Sequence, residues 1–178
     1  MIDTSLVFDG TISTSAIASI GSTASLSTGV AITNTRVSTN IIDWLTGRDV
    51  GSAVPLTMHV QVLAAFTTTN SATLQISYQV CATTNGTYND LIFSPVYTAA
   101  QLIVAAPIFR YDLPVNQAKN ATAGVLLTPG RYAQLNYTVG TGVFSAGTVF
   151  SYITPRDDRN QYFSYPAAYT AGVAAGEI

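Results

Sequence analysis

The chain has 178 residues, 9% of them charged and 48% hydrophobic, with a formal net charge of -2. That length suits one domain with a sizeable apolar core. With only 7 Lys and Arg residues it lacks the concentrated basic stripe that a nucleic-acid groove needs to displace counterions, which excludes direct nucleic-acid binding as an expected role.

Residues 1–36 are rich in Ser, Thr, Ala, Ile and Gly, with apolar residues scattered singly at Ile12, Ile17, Ile20 and Leu26. This spacing fits neither a clean helix nor a clean strand. Two readings stand: an N-terminal arm with one or two edge strands, ordered against a neighbour, or Thr- and Ser-rich strands that complete the domain's own sheets. The opening MIDTSLVFDG carries Asp3 and Asp9 and no basic residue, so no secretory signal is expected.

From Val37 onward, strand signals follow at regular intervals. VSTNIIDW precedes the turn TGRDVGS, and then Leu56, Met58, Val60 and Val62 alternate with Thr57, His59 and Gln61. Leu74, Ile76, Tyr78 and Val80 alternate in the same way with Gln75, Ser77 and Gln79. A two-residue period of this kind predicts strands with one buried face. Asn85-Gly86 is a turn dipeptide, and LIFSPVY after it is a short strand that Pro95 confines to a sheet edge or its end. AAQLIVA reads as one helical turn or a loop, and PIFRYDLPV as a strand bracketed by Pro107 and Pro114. The last two strands, RYAQLNYTV and TVFSYIT, flank the loop GTGVFSAG; Ala133, Leu135, Tyr137 and Val139 share one face, and Gln134, Asn136 and Thr138 the other.

Strands of this length without a sustained 3.6-residue pattern between them predict an all-β protein, an antiparallel β-sandwich or barrel. The strand number suits a jelly-roll-like sandwich if the N-terminal region adds a strand. The expected organisation is an N-terminal arm over 1–36, a β-sandwich domain over 37–155 and a C-terminal tail over 156–178. The tail gathers Arg156, Asp157, Asp158, Arg159, Tyr162, Phe163, Tyr165 and Tyr169. Tyr offers a large contact area with a polar tip at low entropic cost, so this cluster is the candidate interface. A sugar-binding groove lined by its tyrosines is the competing reading.

Catalytic chemistry has little to draw on. Acyl transfer needs a nucleophile with a base beside it, and the one histidine, His59, sits on the polar phase of its strand, where it reads as a half-exposed sheet residue. Cys81 is the lone cysteine, which excludes an internal disulfide and reads as a small structural residue near a strand end. Asp157 and Asp158 are flanked by Arg156 and Arg159, so local ion pairs are expected there in place of a metal site. The GTG of Gly140–Gly142 links two strands and precedes no helix, which argues against a phosphate loop. Asn85, Asn120 and Asn136 head glycosylation sequons of the kind a Thr-rich chain carries by chance. No enzymatic activity, cofactor or metal is expected, and the most apolar window, VYTAAQLIVAAPIF, is too short to span a membrane.

Charged residues make up about 25% of an ordinary soluble protein. Here the exposed surface must consist largely of Ser, Thr, Asn, Gln and apolar groups, which is the surface expected of a protein that works covered by other protein.

The runs GRYAQLNYTVGTGVFSAGTVFSYIT, TGRDVGSAVPLTMHVQV and ATLQISYQV together resemble the Bbp16-like capsid cement proteins of tailed bacteriophages. Those proteins share an Asp-rich turn with R-D-[LV]-G, a strand opening on Pro-Leu, a strand of the ATL-x-[VI]-x type, and a closing RY-x-x-LNYTVGTG-x-F-x-AG hairpin. The corresponding positions are Arg48–Gly51, Pro55–Val62, Ala72–Val80 and Arg131–Gly147. The resemblance implies a jelly-roll-like fold without enzymatic activity, assembled in the host cytoplasm. It also implies a place in the virion on the outer surface of an icosahedral head, bridging copies of the major capsid protein. A homo-oligomer, dimer or trimer, is the expected form, and a carbohydrate-binding module for host adhesion is the alternative.

Overall fold

The computed structural model describes residues 6–12, 27–44, 56–104, 108–113 and 130–155. The strands, in chain order, are β1 (Val7–Asp9), β2 (Thr11–Ile12), β3 (Ser27–Thr28), β4 (Val30–Ala31), β5 (Arg36–Val37), β6 (Ile42–Asp43), β7 (Leu56–Thr68), β8 (Thr73–Cys81), β9 (Asn89–Phe93), β10 (Tyr97–Thr98), β11 (Phe109–Asp112), β12 (Tyr132–Gly140) and β13 (Phe144–Pro155). A 3₁₀ turn, Ala99–Gln101, interrupts them. No helix among those residues is long and apolar enough to cross a membrane.

Two antiparallel sheets pack face to face as a β-sandwich. The first runs β1-β13-β7-β11, with β4 also on β13; the second runs β10-β8-β12-β5, with β9 also on β8 and β6 on β12. The alternating residues of the long strands supply the core. Met58, Val60 and Val62 of β7 and Val149 and Ile153 of β13 face Leu74, Ile76 and Tyr78 of β8 and Ala133, Leu135 and Tyr137 of β12. Each large aliphatic side chain so buried stabilises the fold by about 1.5–3 kcal/mol relative to leaving it exposed.

The pairing is nested: β7 pairs with β13, and β8, which follows β7, pairs with β12, which precedes β13. One long two-stranded ribbon therefore folds over on itself, as in a jelly roll, and its two corners lie side by side. Thr68 Oγ1 donates to Val143 O at 3.0 Å across them, and Ser71 and Thr141 each take a positive φ where the ribbon turns. Gly147 (φ +141°) lies flat against Phe66, whose ring stands edge-on to Phe144.

Parts of residues 1–36 lie within the two sheets. β1 and β4 join the first sheet, β5 joins the second, and Phe8 and Ile32 are fully buried in the common core. The strand expected over VSTNIIDW is broken into β5 and β6. Ser38 at the break bonds β12 twice, its N–H donating to Leu135 O and its Oγ accepting from Leu135 N, while Asn40 N donates to Phe8 O of β1.

The expectation for His59 is corrected. It is buried, at 5% exposure, because the outward phase of the first sheet is an aromatic row and not a wetted face. His59 stacks on Tyr152 with ring centroids 5.1 Å apart, Tyr152 lies against Phe150, and His59 Nε2 is 3.1 Å from Thr154 Oγ1. Gly10 covers Phe150 so closely that a Cβ there would come within 2.7 Å of the ring.

Candidate interaction surface

The sequence places the interface in the tail. Arg156, Asp157, Asp158, Arg159, Tyr162, Phe163, Tyr165 and Tyr169 all lie outside the described residues. Cys81 sits at the end of β8 and is buried, as a structural residue would be. Among the described residues no three His, Cys, Asp or Glu side chains come together as metal ligands would.

The most charged buried point is Asp9, at 0% exposure. Its position follows from a β-bulge: Val7 pairs with Tyr152 but Asp9 pairs with Ser151, so β1 spends two residues where β13 spends one. The extra residue shifts Asp9 from the outward phase of Val7 to the inward phase of Ser151. There its Oδ1 accepts from Thr39 N and Thr39 Oγ1, both at 2.8 Å, and from Arg36 at 3.4 Å. Its Oδ2 accepts from Tyr137 Oη at 2.7 Å, and Ser151 Oγ lies 3.0 Å from that hydroxyl. Burial, and then the charge of Asp9, push the Tyr137 hydroxyl well above its ordinary pKa near 10. A carboxylate so surrounded holds the two sheets together; it has no access to a substrate.

The outer face of the second sheet carries a row of polar side chains that bond each other across strands. Gln134 Nε2 donates to Gln79 Oε1 at 2.8 Å, and Gln79 Nε2 donates to Asp90 Oδ1 at 2.9 Å, which links three strands. At its end, Arg131 holds Asp43 through two bonds of 2.7 Å and lies over the Tyr132 ring.

The apolar exposure lies elsewhere. After β9, β10 (Tyr97–Thr98) still pairs with β8 of the second sheet, and β11 (Phe109–Asp112) belongs to the first. Tyr97 donates its hydroxyl to Ile108 O, Leu102 is wholly buried with its carbonyl accepting from Phe66 N, and Phe109 returns to the core. Around these anchors Phe93, Val96, Ile103, Val104 and Tyr111 stand exposed, at 42–60%. Scattered apolar residues are ordinary, but this stretch holds most of the exposed large apolar side chains among the described residues.

The sequence reading located β9 and β11 without assigning them this role. The available signal was proline: Pro95 ends β9, and Pro107 and Pro114 bracket PIFRYDLPV, as prolines do at sheet edges. β11 is indeed the outermost strand of the first sheet among the described residues.

No curated protein matches the chain. The sequence model of the Bbp16 family matches residues 26–153, which is more than half of the chain and takes in β7, β8, β12 and most of β13. The chain therefore belongs to the Bbp16 family.

Proposed function

We propose that this protein is a capsid cement protein of a tailed bacteriophage. It binds the outer surface of the icosahedral head as a homo-oligomer, bridges copies of the major capsid protein, and carries out no catalysis. Membership of the Bbp16 family over residues 26–153 is the observation that carries this reading. Three features of the chain support it: few charges, the exposed apolar side chains Phe93, Val96, Ile103, Val104 and Tyr111, and an outer face of the second sheet whose amides already bond each other.

A shell under pressure fails where capsomers part. A small protein that binds only the assembled seam stabilises the shell by mass action. When one oligomer grips several capsomers, later contacts are intramolecular, and weak individual contacts give tight attachment. Docking through Thr, Tyr and apolar groups also resists salt, since little of it is screened.

The test is addition of the purified protein to heads that lack it, followed by sedimentation and copy counting. Saturation at a copy number commensurate with icosahedral symmetry, with heads that survive hotter or more dilute conditions, is the expected result. No binding to heads, with specific binding to a glycan instead, overturns the reading in favour of a host-adhesion module.

A further inference from the structure

The outer edge of β11 is self-complementary. Leu113 N donates to Leu56 O, and Phe109 and Tyr111 share the phase of Leu113 against β7. Hydrogen-bonded residues alternate along an antiparallel strand. The main-chain groups of Phe109, Tyr111 and Leu113 therefore point to β7, and those of Arg110 and Asp112 point away from it. Arg110, Tyr111 and Asp112 are all exposed, and no strand pairs with this edge among the described residues. Arg110 and Asp112 also share the outward side-chain phase, where Thr57 Oγ1 donates to Asp112 Oδ1 at 2.7 Å and holds the carboxylate on that face.

We infer that two copies of the chain join through β11, antiparallel about a two-fold axis at Tyr111, so that the first sheet continues across the pair. In this register Arg110 of one copy lies opposite Asp112 of the other, twice by symmetry. Each such pair can exchange both of its main-chain N–H···O bonds, because Arg110 and Asp112 are the residues with outward groups. Tyr111 faces its own copy as the pair without main-chain bonds. Sliding the register by one residue either way along both copies sets Arg110 against Arg110 or Asp112 against Asp112, and like charges directly opposite are destabilising. The charges thus select one register, and the symmetric contact closes as a dimer with no edge left over on β11.

This inference specifies the oligomer contained in the cement reading but stands on the edge geometry alone. The test is sedimentation velocity of the full chain over a range of concentrations, away from heads. The native chain is expected to form a dimer, Arg110→Asp to remain monomeric, and the exchange Arg110→Asp with Asp112→Arg to restore the dimer. A native chain that stays monomeric throughout, or a dimer untouched by Arg110→Asp, overturns the contact. Cysteine cross-linking serves if the exchanged variant does not fold. Opposed residues without main-chain bonds have Cα atoms about 4.5 Å apart, within disulfide reach, so oxidised Tyr111→Cys should run as a covalent dimer while Val96→Cys should not. Failure of Tyr111→Cys to cross-link, or equal cross-linking by Val96→Cys, overturns the contact as well. A dimer that ignores heads removes the cement role and leaves this contact standing; a monomer that decorates heads does the reverse.

Discussion

The hydroxyl of Tyr137, on β12 of the second sheet, donates to the Asp9 carboxylate, on β1 of the first, at 2.7 Å with both side chains out of reach of solvent. The bond crosses the sandwich. Tyr137→Phe keeps the ring's packing but removes the donor and leaves a buried carboxylate oxygen poorly satisfied. A loss of about 1–3 kcal/mol in stability is expected, measured by urea unfolding.

The same hydroxyl makes stability fall in alkali. Its folded-state pKa is raised, first by burial and then by the Asp9 charge, so the folded chain keeps a proton that the unfolded chain releases. The contribution is whole below the ordinary tyrosine value of about 10 and is lost as pH rises from there toward the folded value. Unfolding midpoints of the native chain and Tyr137→Phe, compared from pH 8 upward, should diverge least at the alkaline end.

Gly147→Ala should be costly. The backbone there has φ +141°, and a Cβ would stand 2.4 Å from ring atoms of Phe66, so either the ring or β13 must move. A penalty of about 1–3 kcal/mol follows from the backbone conformation alone, seen as a lower thermal midpoint.

Leu102→Ala tests the anchor of the exposed edge. The side chain is wholly buried beneath the connection between the sheets. Its truncation should cost about 2–5 kcal/mol and raise hydrogen exchange over residues 93–104 more than over β12.

Cys81 should be inert in the native protein. It is buried at 8% exposure, with Gly86 packed so closely that a Cβ there would approach Sγ to 2.6 Å. Reaction with a thiol reagent should be slow in buffer and prompt in denaturant, followed by absorbance of the released chromophore.

The long strands were legible because each writes its burial in a two-residue period. Leu74, Ile76, Tyr78 and Val80 are buried as that period requires, and so are Ala133, Leu135 and Tyr137. His59 was misread for a reason of the same kind: periodicity says which residues share a face, but not whether that face is itself covered. The phase of Thr57 and His59 is polar in sequence, yet Tyr152 and Phe150 from a distant strand share its sheet face. Asp9 was equally hidden, since a bulge reverses the phase of a strand too short to show any period. The edge role of β11 rests on which strands lie beside it, a property of topology that local pattern does not carry.

The nested ribbon also dictates when the molecule can form. β7 finds its long partner only in β13, which emerges from the ribosome after every other described element. Until then β7 and β8, which lie in different sheets, keep their apolar residues uncovered, and pairings across so much intervening chain close slowly. A released chain that stops before residue 144 should therefore be one that proteases cut freely, whereas a released chain that includes residues 144–155 should be protected.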